Sequence, residues 1–348
     1  MTAMVGIGSD QNCPCNLMIT GGAGFIGSNF VRWVSQHHPN TRIVVFDALT
    51  YAAIPGSLPN SGPNGPFLVK GDICDPGAVE GAISEYGIDT VVHFAAESHN
   101  DNAIQAPDPF IKTNIEGTYI LLQAVRRHDL RFHHISTDEV YGDLDFGDSR
   151  RFDESSPYRP SSPYSASKAA SDHLVRAWWR TYGTRVTISN CSNNYGPRQH
   201  VEKFIPRQIT NILAGIRPRL YGEGRESRDW IHVQDNCEAI WTVLTRGILG
   251  STYLISADNE YSNRDVLAMI LEEMGQEPDA FDRVPNRPGV DRRYALDSSR
   301  IQSELGWRPR HRDFRQGLRD TIDWYASHQD WWRPAKEETE RRYEIQGH

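Results

Sequence analysis

Cysteine is scarce in this chain. The 348 residues hold five, Cys13, Cys15, Cys74, Cys191 and Cys237. An odd number at irregular spacing excludes a disulfide framework and fits a reducing cytoplasm. Cys13-Pro14-Cys15 could be half of a metal site, but no second Cys or His pair follows at zinc spacing, so no metal is expected. No apolar run is long enough to span a bilayer as a helix. The first sixteen residues lack a basic segment followed by an apolar stretch, so they are no secretory signal and are expected to form a disordered tail. Basic charge is also in deficit, with 37 Lys and Arg against 45 Asp and Glu, a net −8. That balance, with no basic stripe, argues against a nucleic-acid protein. It leaves anionic small molecules open, because local Arg and Lys bind phosphate on an acidic protein. Internal repeats are absent.

What is present is alternation. The length exceeds what one compact core needs and predicts two lobes. Short apolar runs at 17–19, 42–46, 67–69, 90–94, 132–136 and 185–189 read as strands, and helical patterns at 25–36, 77–86, 110–128 and 165–182 lie between them. Strand and helix in repetition predict a doubly wound α/β fold, a parallel sheet with helices on both faces. Residues 52–66 and 142–163 read as loops. The expected organisation is a nucleotide-binding domain over 17–192, joined again by a strand near 253–256. A smaller mixed α/β substrate lobe over 193–330 and a charged C-terminal tail or peripheral helix over 331–348 complete it.

Thr20-Gly21-Gly22-Ala23-Gly24-Phe25-Ile26-Gly27 lies between the first strand and the first helix. Gly21 permits the tight turn, Gly24 lets backbone approach a pyrophosphate, and Gly27 allows close helix–strand packing. The helix N-terminus adds amides and positive dipole. This is a Rossmann-type dinucleotide signature. Asp47 ends the second strand, twenty residues on. A carboxylate there accepts the adenosine ribose hydroxyls and repels a 2′-phosphate, which predicts NAD over NADP. Asp72 and Ile73 after the third strand are placed to hold adenine. Ala95, Ala96 and Ser98 after the fourth let a cofactor cross the strand ends.

Tyr164 and Lys168 stand at i and i+4 and share one helix face. A nearby ammonium, with the positive nicotinamide, is expected to lower the phenol pKa and make Tyr164 a base for a sugar hydroxyl. Ser136-Thr137-Asp138-Glu139 ends the fifth strand, where parallel sheets face their ligand crevice. A simple oxidoreductase needs the Thr137 hydroxyl and no carboxylates. Asp138 and Glu139 side by side suit elimination of water across C5 and C6 of a 4-keto sugar, with one base for the acidified C5 proton and one acid for the departing hydroxyl. Mutual repulsion and partial burial keep one of such a pair protonated. The plain alternative is a pair of capping or surface charges.

These residues resemble the extended short-chain dehydrogenase/reductases, specifically the dTDP-glucose 4,6-dehydratases. The resemblance spans residues 17–325 and runs through the glycine turn, residues 94–99, 134–142, 161–168 and 190–197, Arg228-Asp229-Trp230 and Arg287-Pro288-Gly289. It implies that Tyr164 deprotonates the 4-hydroxyl, Thr137 orients it, Lys168 tunes Tyr164, Glu139 takes the C5 proton and Asp138 protonates the C6 oxygen. It implies NAD contacts at Phe25, Ile26, Leu49, Thr50, Thr113 and Asn194 besides those above. Substrate contacts are implied at Ser98, Thr137, Asn193, Lys203, Phe204, Arg219, Tyr221, Arg228, Asn263 and Arg287, two of these arginines suiting a diphosphate. It further implies a homodimer joined through a four-helix bundle of the helices at 110–128 and 165–182, with Trp178 and Trp179 suited to the contact. The chain departs from the common pattern at Asn100-Asp101-Asn102, Ser227 and Val290. A 4-epimerase, a uronate decarboxylase or a dehydratase of another nucleotide sugar would share the glycine turn and the Tyr–Lys pair. Only the dehydratases need Asp138-Glu139. A non-catalytic NAD sensor would be free to lose Tyr164, Lys168 or Thr137, and all three are present.

Overall fold

The computed structural model describes residues 13–60, 65–286 and 291–345. Twelve strands lie along them: β1 (Asn16–Thr20), β2 (Arg42–Asp47), β3 (Phe67–Lys70), β4 (Thr90–His93), β5 (Arg131–Thr137), β6 (Arg185–Cys191), β7 (Asn193–Tyr195), β8 (Arg219–Tyr221), β9 (Ser227–His232), β10 (Thr252–Ile255), β11 (Glu260–Ser262) and β12 (Asp282–Val284). Seven form one sheet in the order β10-β6-β5-β4-β1-β2-β3. Every pairing in it is parallel. β4 and β5 are buried along their whole length, and buried polar members of each are hydrogen-bonded, as with His93 to Thr20 and Thr118 and His133 to Thr187 and Ser189. The strand order reverses between β1 and β4, so the loops leaving their carboxyl ends diverge and open a crevice. The doubly wound α/β expectation is borne out, including the strand that returns near 253–256.

The two faces of the sheet carry separate apolar layers. Phe30 and Val34 of the helix Phe25–His37 pack with Trp241 and Leu244 of Val233–Arg246 on one face. On the other, Val79, Ile83, Leu121, Val125 and Val175 join three helices. Each such side chain contributes about 1.5–3 kcal/mol by leaving water. Local signals set the helix ends. Asp75 caps Pro76–Tyr86 by accepting from Gly77 N and Ala78 N at 2.8 and 3.1 Å. Pro163 opens Pro163–Tyr182 behind a reciprocal Ser162–Ser165 cap, and Gly183 closes it at φ 68°.

The helix expected over 110–128 is not uniform. Ile111–Gly117 is wound as a π-helix before the α-helix Thr118–Arg127 resumes. β7, β9 and β11 form a second sheet, and β8 pairs with β12. Around them Tyr195, Trp230, Phe314, Tyr325 and Trp332 build a further core. The terminal segment, expected as a charged tail or peripheral helix, is the helix Gln329–Ile345 with Trp332, Lys336 and Thr339 buried on one side. That i, i+4, i+7 spacing is an anchoring stripe. Residues 1–12 of the expected N-terminal tail lie outside the described residues. The tail expected through residue 16 ends sooner, because Cys15 N and Asn16 N both donate to Asp89 Oδ2. Among the described residues no helix is long and apolar enough to cross a membrane.

Candidate active site

The glycine turn is forced by its neighbours. Gly21 has φ 67°, and a Cβ there would stand 2.6 Å from Ala95 N; one on Gly27 would stand 2.3 Å from Gly21 O. Only glycine lets the turn lie against the end of β4 and the following helix start this close. The helix Phe25–His37 has no acidic residue in its first turn, so its amides face the crevice without a competing carboxylate. Asp47 accepts from Ala23 N at 2.9 Å and Leu49 N at 2.8 Å, which ties the loop after β2 to the glycine turn. A carboxylate offers about four lone-pair sites, so acceptors remain for ribose hydroxyls. A cavity of about 390 Å³ runs from this turn past Asp47, Asp72, Ile73, Ala95 and Ala96 to Thr137, Asp138, Glu139, Tyr164 and Lys168. A backbone cradle that side chains would fill, a helix N-terminus and a carboxylate at the second strand end fit a dinucleotide without a 2′-phosphate.

The other end of the cavity holds the titratable groups. Thr137 ends β5 and caps the short 3-10 turn Asp138–Tyr141 by accepting from Glu139 N at 3.3 Å. Its hydroxyl donates to Asp138 Oδ1 at 3.2 Å. Asn190 of β6 donates to Thr137 O at 3.0 Å, and Ser136 donates to the buried Asp172 at 2.9 Å, so the strand end is held from both sides. Across the cavity Asn114, inside the π-helix, donates to Ser167 Oγ at 2.8 Å and exchanges hydrogen bonds with Glu97 N and O. The wide turn therefore braces the Tyr164 helix against the loop after β4. π-Turns recur at functional sites for this kind of re-aiming.

Burial dominates the electrostatics. It raises the Asp138 carboxyl well above the usual range, and the Glu139 charge adds to the rise, so the protonated form is favoured more than in an ordinary carboxyl. The expectation of one protonated member of the pair has its physical cause here. Burial pulls the Lys168 ammonium down to about 8. The expected lowering of Tyr164 by Lys168 is not met by the protein's own charges. Burial, then Glu139, pushes the phenol well above 10, and the Lys168 ammonium donates to Ile135 O at 2.8 Å instead.

The cavity brings together most of the residues singled out in the sequence. Gly21, Gly24, Phe25, Ile26, Gly27, Asp47, Thr50, Asp72, Ile73, Ala95, Ala96, Ser98, Thr113, Asn193, Asn194 and Lys203 line it with the five catalytic candidates. Leu49 does not; it turns the chain at φ 55° beside Asp47. Phe204, Arg219, Tyr221, Arg228 and Asn263 also stand outside the lining, and Arg287 lies outside the described residues. Phe204 stacks on Trp230, and Asn263 N is tied to Glu226 O. Arg219 and Tyr221 sit on β8, where Gln208 brackets the Arg219 backbone. Arg228 lies over the Tyr294 ring and donates to Asp291 O, close enough for its charge to act on Asp138. Sequence reasoning missed Glu97, Gln199, His200 and Glu202 in the lining and Asn114 behind it. Burial sets Glu97 above the usual carboxylate range, with Glu202 adding and Lys203 opposing. A polar run, 199–203, directly before an amphipathic helix was the available signal.

The comparisons with known proteins agree with this geometry. The family model described as GDP-mannose 4,6 dehydratase matches residues 18–321. A dTDP-glucose 4,6-dehydratase of Mycolicibacterium smegmatis is 56% identical over 95% of this chain and 99% of its own. The chain belongs to the dTDP-glucose 4,6-dehydratase family. A member from Streptomyces antibioticus is 46% identical over 92% of this chain and 95% of its own. Among solved structures, the dTDP-glucose 4,6-dehydratase DesIV of Streptomyces venezuelae, crystallised with NAD, matches with a TM-score of 0.87 at 43% identity. That match covers 92% of this chain and 99% of DesIV. A UDP-glucose 4-epimerase of Thermus thermophilus, also with NAD, matches at 0.82 and 29%, over 90% and 99%. The resemblance read from the motifs is thus borne out for the dehydratase family, and the epimerases share its fold.

Proposed function

We propose that this chain is an NAD-using dTDP-glucose 4,6-dehydratase, a hydro-lyase that forms the 4-keto-6-deoxy sugar nucleotide. The observation that carries the reading is the adjacent pair Asp138–Glu139 in one cavity with Tyr164 and Lys168, one carboxyl pushed by burial toward its protonated form and its neighbour half-buried. The relatives at 56–57% identity, each named for this reaction, support it. When bound in the glycine cradle, NAD supplies the two-electron acceptor at C4 and donor at C6, and its positive ring favours the phenolate of Tyr164.

The chain's own residues do the proton work. Tyr164 accepts the 4-hydroxyl proton while Thr137 holds that oxygen. Glu139 takes the C5 proton, which the C4 ketone acidifies, and later returns it. Asp138 gives its proton to the C6 oxygen as water leaves. Lys168, on the Tyr164 helix, holds a buried ammonium on Ile135 O near the end of β5. Gly21, Gly24, Gly27 and Asp47 hold pyrophosphate and ribose. Ser98, Asn193 and Lys203 face the sugar. Arg219 and Arg228, with Tyr221 and Asn263, form the rim for the nucleotide diphosphate. We assign residues 17–192 to the cofactor domain and 193–330 to the substrate lobe. The protein pairs as a cytoplasmic homodimer through the helices ending at Arg127 and Tyr182, whose Tyr119, Trp179 and Tyr182 are exposed. Trp178 instead packs against the sheet core and edge-on to Tyr119.

The test is incubation of the purified protein with dTDP-glucose in deuterated water, without added reductant. The expected product has lost one water, carries a 4-keto group and holds deuterium at C5. A product of unchanged mass inverted at C4 would replace this reading with a 4-epimerase.

A further inference from the structure

The dehydratase reading, on which this inference rests, takes a hydride from C4 and returns it at C6. NAD therefore ends each cycle in the form in which it began, and no step requires it to leave. An enzyme working this way gains from holding its cofactor between turnovers. A set of contacts suited to that lies outside the acid–base machinery.

The segment after β2 runs along the adenosine side of the cavity, with Thr50, Ala52 and Ala53 in the lining beside Asp47 and Asp72. Ile54 N donates to Ala23 O at 3.1 Å, which ties the segment to the glycine turn. The chain then winds into the 3-10 turn Pro55–Ser57. Two other elements hold that turn. Arg32, on the helix Phe25–His37, donates to Ser57 O at 2.5 Å and to Leu58 O at 2.9 Å. Trp331, on the C-terminal helix, donates its indole N–H to Ser57 Oγ at 3.1 Å, and Ser57 is 2% exposed.

Trp331 is itself fixed to the substrate lobe. Its ring meets Trp324 edge-on at 5.0 Å, and the next residue, Trp332, is buried and donates to Tyr325 O at 2.8 Å. Further along the same helix Lys336 bonds Asn211, and Glu340 lies 3.7 Å from Arg207, both on the helix Phe204–Leu213. Lys203, which caps that helix, lines the cavity. Tyr51 completes the circuit by meeting His200 of the lining edge-on at 6.3 Å. The cofactor segment is thus held by the substrate lobe at two places, Tyr51 and Ser57, with Ala52 and Ala53 of the lining between them.

We infer that residues 50–58 form a clasp over the adenosine half of NAD and that Trp331 is the positioning residue that latches it, through Ser57. Neither Trp331 nor Ser57 lines the cavity, so each acts through the backbone of the clasp. Swinging the clasp off the cavity breaks the Trp331–Ser57 bond. Its loss therefore speeds release of the cofactor and leaves the nucleotide-sugar end of the cavity as it was.

The holoenzyme is loaded with radiolabelled NAD and chased with excess unlabelled NAD, and the release rate is read by rapid filtration. Trp331→Phe keeps an aromatic ring against Trp324 and removes the donor; Ser57→Ala removes the acceptor. Each should release NAD about five-fold faster than wild type, the worth of one neutral hydrogen bond. The double variant should be no faster than either single one, because both remove the same contact. Affinity for AMP should fall by a like factor while affinity for dTDP stays unchanged, a split that general loosening of the fold does not produce. Release at the wild-type rate in either single variant, a double variant about 25-fold faster, or equal loss of AMP and dTDP affinity overturns the latch while the dehydratase reading stands. A wild type that binds no NAD overturns that reading and the latch with it.

Discussion

Replacing Lys168 by Met should make the protein more stable and inactive. Lys168 is 4% exposed, and its ammonium donates to Ile135 O at 2.8 Å. Burial lowers its pKa from 10.5 to about 8, with Asp172 and Cys191 opposing the fall. At 1.36 kcal/mol per unit, holding this charge in the fold costs about 3 kcal/mol relative to the unfolded chain. Met keeps the apolar stem and drops the charge, and losing the hydrogen bond returns about 1 kcal/mol of that. The net gain at neutral pH is about 2 kcal/mol, or about 3 °C in Tm for a chain of this length. The folded-state pKa is the depressed one, so the unfolded chain binds the proton more firmly between about 8 and 10.5. Wild-type stability rises through that window, and the advantage of Met shrinks across it. Thermal melts of both proteins, stripped of nucleotide, at a series of pH values measure this. A variant that melts lower than wild type at neutral pH, or an offset that stays constant through the window, would refute the reasoning.

Other outcomes follow from the same geometry. Asp138→Asn and Glu139→Gln should each slow elimination by about 100- to 10,000-fold while C4 oxidation persists. The reduced cofactor should then accumulate and be visible by absorbance on mixing with substrate. In the wild type, kcat/KM should fall as pH rises past about 8, because Lys168 must stay charged. Asp172→Asn should move that limb to lower pH by removing the carboxylate that favours the ammonium, and should lower kcat more than it changes KM. Gly21→Ala should abolish retention of NAD, measured as nucleotide released on denaturation, because its Cβ would meet Ala95 N at 2.6 Å at φ 67°.

The inner strands of the sheet were readable because they are buried on both faces. Runs such as Val91-Val92 and Ile43-Val44-Val45 announce themselves without alternation. The glycine turn and the Tyr164–Lys168 pair were readable because close approach and helical periodicity each demand fixed spacing. What escaped was set by tertiary context. Nothing in Ile111-Lys112-Thr113-Asn114 distinguishes a π-turn from an α-turn until Asn114 finds Ser167 and Glu97. Glu202 enters the cavity because the chain after β7 folds back over the sheet, a path that depends on distant contacts such as Tyr325 OH to Gln199 O. The anchoring of the C-terminal helix was masked by its charge, with Trp332, Lys336 and Thr339 buried among mostly charged positions. The pKa of Tyr164 was misjudged because spacing on a helix does not say where a flexible ammonium points. Lys168 bonds the β5 carbonyl of Ile135.

The most direct measurement follows one hydrogen. The protein would be given an equal mixture of unlabelled dTDP-glucose and dTDP-glucose carrying deuterium at C4, without reductant, and the product examined by mass and NMR. Deuterium from C4 should appear at C6 in about half of the product molecules, with no wash-out to solvent. Deuterium retained at C4, or lost from the sugar, would contradict a dehydratase that oxidises C4, expels water across C5 and C6, and returns the same hydrogen to C6.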